Sequence, residues 1–151
     1  MTTPFTVRAG GVELAVTAED GAVTAIRLNE TGARQPASPF EQAVERELQE
    51  YFGGTRTDFT FATRTEGTPF QQAVWKALLR IPYGETRTYG EIARALGTPH
   101  AFRAVGAANH ANPIPIVIPC HRVVQSGGGL GGYGGGLALK RRLLNLETRL
   151  G

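Results

Sequence analysis

Three segments of this chain carry the same start signal for a helix, and their placement constrains the fold more than any other feature. Ser38-Pro39-Phe40-Glu41, Thr68-Pro69-Phe70-Gln71 and Thr88-Tyr89-Gly90-Glu91 each set a hydroxyl three residues ahead of a Glu or Gln. Side chain and backbone can then satisfy the N–H groups that a helix start leaves unpaired. Proline in the first two adds a preset φ at the first helical position. Before residue 38 the chain alternates instead: Phe5 and Val7, then Val12, Leu14 and Val16, then Val23, Ile26 and Leu28. Gly10-Gly11 and Asp20-Gly21 break these runs, and Asp-Gly between alternating stretches signals a hairpin. Strands first and helices afterwards predict an α+β chain.

A loop rich in Gly, Pro and Ser, from Gly32 to Pro39, leads into the first helix. Phe40, Val44, Leu48 and Phe52 mark its buried face, Gly53-Gly54 stops it, and Phe59 to Ala62 reads as one more strand. Residues 1–65 thus form a small structural unit in which no reaction chemistry is visible. Residues 66–151 form a second. There Phe70, Val74, Trp75 and Leu78 give a helix ending near Ile81-Pro82-Tyr83-Gly84, and Ile92, Ala93 and Leu96 follow the third cap as far as Gly97. Thr98-Pro99 is expected to cap a helix reaching His110, with Phe102 and Val105 inward and Arg103, Gly106, Ala107 and His110 outward. Two short helices about a Gly97 turn have the spacing of a helix-turn-helix. Ile114 to Ile118 reads as an edge strand or extended segment, because its prolines cannot donate to a ladder. A glycine-dense loop from Gly127 to Gly136 precedes a last helix, Leu137 to Leu150.

The 151 residues, 41% hydrophobic and 19% charged, suit one medium or two small globular domains. No apolar run approaches the roughly 18 residues that span a bilayer, and the first residues lack a basic, then apolar, secretory pattern. One cysteine cannot form an internal disulfide and fits a reducing interior, so the expected location is intracellular. Charge is uneven. Residues 1–65 carry six Arg against nine Asp and Glu, a net −3, and residues 66–151 carry ten Lys and Arg against four Glu, a net +6. The second unit either meets a polyanion or has an ordinary basic surface.

Cys120 lies in Ile118-Pro119-Cys120-His121-Arg122-Val123-Val124. It is either a buried small hydrophobe or a nucleophile activated by a neighbouring base or cation. Consecutive side chains of a strand face opposite ways. His121 can therefore serve Cys120 only if the backbone turns there or a water bridges them. Glu147 is either a solvated charge or the partner that orients His121. Gly129-Leu130-Gly131-Gly132-Tyr133-Gly134 has the form of a dinucleotide loop but lacks the acidic residue about 20 positions on. Holding Tyr133 beside a ligand is the better use of these glycines. The small residues of Ala101 to Asn109 either let that helix enter a DNA groove widened by bending, with Arg103 as probe, or let it pack closely on a neighbour.

Pro119-Cys120-His121-Arg122-Val123, with Asn112-Pro113 before it and Tyr133-Gly134-Gly135-Gly136 after, resembles the O6-alkylguanine-DNA alkyltransferases. The likeness runs from about Thr68 to Glu147, through Gly84-Glu85-Thr86-Arg87-Thr88-Tyr89 and Arg103-Ala104-Val105-Gly106. Residues 1–65 share only a coarse layout. The resemblance implies a ribonuclease-H-like first domain and a winged-helix-like second domain whose helix-turn-helix enters the minor groove. It implies a single-turnover repair protein, without cofactor or metal, that moves an alkyl group from guanine O6 irreversibly to Cys120. In that scheme His121 takes the thiol proton through a water, Glu147 orients His121, and Asn112 shapes the turn before the site. Arg103 fills the base stack, Tyr89 presses the adjoining phosphate, and Thr88, Ala104, Gly106 and Ala107 lie on the DNA. Tyr133 and the Gly134 N–H polarise the flipped guanine, the carbonyls of Cys120 and Val123 read its amino group, and Pro115 joins them at the base.

The implied partner is double-stranded DNA carrying O6-alkylguanine, with O4-alkylthymine as a second lesion. The implied state is a monomer away from membranes, associated with the nucleoid and able to assemble cooperatively on DNA. One departure is His110-Ala111 before Asn112, where the family pattern has Gly and often a basic residue; it bears on a phosphate contact and not on the chemistry. The Cys and His residues that bind zinc in some relatives are absent. Cys120 argues against a non-transferring relative that only binds the lesion. A cysteine hydrolase would need an oxyanion hole and gives Arg103 and the helix pair no role.

Overall fold

The computed structural model describes residues 3–127 and 129–149. The chain divides into two compact units, Met1–Thr65 and Glu66–Gly151.

In the first unit, strands β1 (Phe5–Ala9), β2 (Val12–Glu19) and β3 (Ala22–Leu28) form an antiparallel meander. Both connections are two-residue turns with positive φ throughout, at Gly10 (59°) and Gly11 (81°), then Asp20 (51°) and Gly21 (75°). Turns of this hand match the strand twist, which is why Gly and Asp-Gly occur there. Phe5, Val7, Leu14, Val16, Val23 and Ile26 are buried. Helix α1 (Pro39–Phe52) packs on β1 through Val44, Leu48 and Phe52.

Two expectations are corrected in this unit. Ser38 accepts from the Glu41 N–H, but the Glu41 carboxylate turns to Arg34, with both oxygens at 2.8 Å, and to the Ala37 N–H. The strong Arg34 pair holds Glu41 at about 2 and replaces the second half of the capping box. Residues 59–62 are not a strand. Only Thr63 bridges to Val23, with Ala62 accepting from the Val23 N–H, while the buried Glu47 carboxylate binds the Thr60 N–H and hydroxyl. Fixing Thr60 to a helix side chain takes that stretch out of a ladder.

The second unit starts with α2 (Pro69–Leu79), whose Thr68–Gln71 capping box is complete. A two-residue strand β4 (Arg87–Thr88) runs into α3 (Tyr89–Ala95), capped reciprocally by Thr88 and Glu91. After a turn at Gly97 (φ 77°) comes α4 (Phe102–His110). Helices α2, α3 and α4 pack on one another, and the Trp75 indole N–H donates to the Ala108 carbonyl at 2.8 Å. The α3–α4 pair is the expected helix-turn-helix, and the chain as a whole is α+β.

Helix α4 starts later than the sequence predicts. Its N-cap is Ala101, and Thr98 is spent on the preceding turn, where its N–H and hydroxyl donate to the Ala93 carbonyl. Phe102, expected inward, is 49% exposed, because the late start leaves it at the helix mouth. The segment Ile114–Ile118 is a buried tight turn and not a strand: Ile118 N–H donates to the Ile114 carbonyl and Ile116 has φ 75°. A 3₁₀ turn, Cys120–Arg122, leads into β5 (Val123–Val124), which pairs in parallel with β4. Helix α5 (Leu137–Arg149) closes the unit over Leu139 and Leu143; Leu150 of the expected helix lies outside the described residues. Among the described residues no helix is long and apolar enough to cross a membrane.

Candidate active site

The 3₁₀ turn removes the geometric objection to Cys120 and His121 working together, because a turning backbone does not send consecutive side chains to opposite faces. Asn112 sets up that turn. Its side-chain amide donates to the Ile118 carbonyl at 2.8 Å, and its oxygen accepts from the Ile114 N–H at 2.9 Å. Asn109, buried on α4, donates to the Cys120 carbonyl at 3.3 Å, so the helix and the thiol turn are joined directly.

Cys120 is 5% exposed. Burial pushes its thiol up to about 11, while the Asn112 amide, the Lys140 charge and nearby backbone N–H groups pull the other way. At rest it is therefore a neutral thiol that needs a base. His121 is fully buried, and its Nε2 lies 2.7 Å from Glu147 Oε2. Burial lowers the His121 pKa more than Glu147 raises it, so the imidazole is neutral at pH 7. A neutral ring beside a carboxylate donates from Nε2, which leaves the basic lone pair on Nδ1. One turn thus carries a thiol and a neutral imidazole, with the carboxylate that fixes the imidazole tautomer beside them.

The sign of the pH dependence follows. His121 binds its proton less well folded than unfolded, so its contribution to stability is complete above the ordinary value near 6.5 and is lost as pH falls through and below it. Alkylation of the thiol in the folded protein is expected to continue below pH 6.5 and to decline only as His121 protonates. A rate–pH series with a decline centred above 6.5 would contradict this assignment of the base.

Arg122, read from sequence only as a nearby cation, has a larger part. Its Nε and Nη2 donate to the two Glu147 oxygens at 2.7 and 3.0 Å, and Nη1 donates to the Ile81 carbonyl at 2.8 Å. Glu147 thus holds both neighbours of the turn and also accepts from the Gly84 N–H at 3.4 Å. Two further contributors were not legible: Asn109, and Lys140, whose side chain is completely buried. A lysine next to Arg141 and Arg142 reads as a surface charge, and only the fold turns it inward.

Tyr133 lies on the glycine loop with its hydroxyl buried and without a hydrogen-bond partner among the described residues. Burial and the nearby Cys120 and Glu147 charges raise its pKa well above the usual value, so it remains a proton donor. Gly134 beside it is exposed, and Pro115 and Val123 are buried. The Cys120 carbonyl already accepts from Asn109 and from the Val123 N–H, and the Val123 carbonyl from Lys140.

A cavity of about 690 Å³ opens between α3, α4 and the glycine loop, lined among others by Tyr89, Arg103, Gly106, Asn109 and Gly131. That volume is in the range that takes a small organic ligand. Cys120 does not line it, but Asn109 and Tyr89 of its wall do contact or sense the thiol turn. Arg103, Ala104, Ala107 and His110 are exposed along α4, while Thr88 is half-buried with its hydroxyl in the α3 cap. A Cβ at Gly106 would make ordinary contact with the Tyr89 ring at 3.8 Å, whereas one at Gly131 (φ 74°) would come within 2.7 Å of the Tyr89 hydroxyl. Internal packing therefore requires glycine at 131 and not at 106. Gly106→Ala is expected to keep or raise thermal stability, by about 0.5–1 kcal/mol, and to weaken duplex binding measured by titration. Unchanged binding would show that Gly106 does not lie against the duplex.

A helix-turn-helix hydrogen-bonded to the backbone of a turn that carries a buried thiol, with a neutral imidazole and a carboxylate beside it, defines a helix-turn-helix domain built around a cysteine centre. A family profile described as 6-O-methylguanine DNA methyltransferase, DNA binding domain, matches residues 69–149. A methylated-DNA–protein-cysteine methyltransferase of Mycobacterium bovis is 58% identical over 108 residues, which is 72% of this chain and 65% of that relative. The chain thus spans slightly under two thirds of the length of that curated relative. A crystal structure of the Mycobacterium tuberculosis O6-methylguanine methyltransferase superposes with a TM-score of 0.89 at 43% identity, covering 100% of this chain and 95% of that one. The M. tuberculosis OGT in complex with DNA gives 0.88 at 43% identity, over 97% and 93%. This chain belongs to the O6-methylguanine DNA methyltransferase family.

Proposed function

We propose that the protein repairs duplex DNA by moving an alkyl group from guanine O6 to Cys120, once per molecule. The observation that carries the reading is the 2.7 Å His121–Glu147 pair set behind the single thiol of the chain. The 43% identical M. tuberculosis structure in complex with DNA supports DNA as the partner.

A thiol cannot reach O6 inside the stack, so the base must leave it at a cost of a few kcal/mol. The exposed Arg103 is the side chain placed to fill the gap, and the basic second unit offsets the cost through phosphates. Tyr89, Thr88, Ala104, Gly106 and Ala107 form the surface on the duplex. In the transfer, His121 Nδ1 takes the Cys120 proton through a water. The sulfur–carbon bond forms as the carbon–O6 bond breaks, and the bonding pair stays with the base. Tyr133, with the Gly134 N–H beside it, donates toward the base so that it leaves as neutral guanine. One proton leaves the protein thiol and one enters the base, and the product is a thioether. O4-alkylthymine presents a similar ether oxygen and is a second candidate lesion. Action on chromosomal DNA would place the protein at the nucleoid.

The test is intact-mass analysis after incubation with duplex DNA containing O6-methylguanine. The expected result is one added methyl group per molecule, mapped to Cys120, with no turnover beyond it. Repeated turnover, or a lesion left unchanged, would overturn the proposal.

A further inference from the structure

Lys140 is the one fully buried lysine among the described residues, and it stands in the first turns of α5. A cation there opposes the helix dipole and gives up its hydration. Among the described residues it forms no salt bridge with a carboxylate. Its ammonium instead donates to three carbonyls: Val123 at 2.6 Å, Gly132 at 3.3 Å, and Leu130. Val123 follows the thiol turn directly, and Leu130 and Gly132 belong to the loop that ends in Tyr133. Among the described residues the anion that acts on Lys140 is the ionised form of Cys120, and the Lys140 charge in turn helps to keep His121 neutral.

Resting on the transfer reading above, we propose that Lys140 is a positioning residue that pins the Tyr133 loop to the strand behind Cys120 and supplies the counter-charge for the thiolate formed during transfer. Three carbonyl dipoles hold the ammonium in place but carry no net charge, so the charge balances only when the thiol ionises. The titratable groups coupled to that thiolate are Tyr89 from α3, Tyr133 from the glycine loop and Lys140 from α5. Those coupled to His121 are Glu147, Arg122 and Lys140. Lys140 is the group common to both sets, and its ammonium is bonded to the loop and to the residue that follows the turn.

The test compares wild type, Lys140→Met and Lys140→Arg in single-turnover transfer from an O6-methylguanine duplex across pH, beside affinity for an unmodified duplex. Lys140→Met is expected to bind the unmodified duplex as wild type does, to transfer about 10²–10³-fold more slowly, and to shift its rate–pH curve to higher pH. Lys140→Arg is expected to keep the wild-type pH curve. A Met variant with the wild-type rate, or one slowed equally at every pH, would overturn the proposal. Nitrogen NMR of the wild-type lysine side chains gives a reading independent of variant folding. A protonated, slowly exchanging Lys140 signal at pH 7 is expected, and a neutral or freely exchanging amine would refute the role. Absence of transfer by wild type itself would refute the transfer reading instead.

Discussion

Cys120→Ser is expected to abolish transfer while duplex binding persists. The substitution is nearly isosteric, and the Asn112 amide and the backbone N–H groups around Sγ can serve a hydroxyl as well as a thiol. Loss of fold stability should therefore stay near about 1 kcal/mol. The loss of chemistry is far larger. A serine hydroxyl is a poorer nucleophile than a thiol, and a neutral imidazole cannot generate the free alkoxide. The measurement pairs intact mass with binding: no adduct after prolonged incubation, and an affinity for O6-methylguanine duplex equal to or tighter than wild type. An adduct formed at wild-type rate on another residue would remove Cys120 from its role. The wild-type protein reports on the resting state. With its thiol near 11 instead of an ordinary 9, wild-type Cys120 holds on the order of 100-fold less thiolate at pH 8. Iodoacetamide should label it far more slowly than an exposed thiol.

The second large effect is expected at Glu147. Its two oxygens serve His121 and Arg122 together, at 2.7, 2.7 and 3.0 Å, with 1% of the residue exposed. Removing the carboxylate with Glu147→Ala strands the Arg122 charge inside the protein, at a cost of about 3–5 kcal/mol. For a small domain that is a large share of total stability, so a sharply lowered melting temperature is expected. Glu147→Gln separates folding from chemistry. It keeps the shape and part of the hydrogen bonding but releases the His121 tautomer, and single-turnover transfer should fall by about 10²–10⁴-fold. A Gln variant with the wild-type rate would show that His121 does not depend on Glu147.

Much of this site is legible in sequence because the signals are local. The capping boxes at Thr68 and Thr88 need only a hydroxyl and a partner three residues on, and both close as read. The hairpins at Gly10-Gly11 and Asp20-Gly21 are likewise set by residues that accept positive φ. The misreadings occur where a local signal lost to a distant partner. Glu41 left its capping box for Arg34, Thr98 was drawn into the turn before α4, and the β-branched run at Ile114 was bent into a turn by Asn112.

The sequence by itself determined the order of the first three strands and the five helices, the single thiol, and the charge division between the two halves, since each depends on residue type or short spacing. Tertiary structure decided the protonation states and the partnerships. It buried Cys120 and His121 so that both are neutral, gave Glu147 to Arg122 as well as His121, and turned Lys140 inward onto three carbonyls. Those outcomes depend on desolvation and on groups 8 to 26 residues apart in the chain, and no local pattern encodes either.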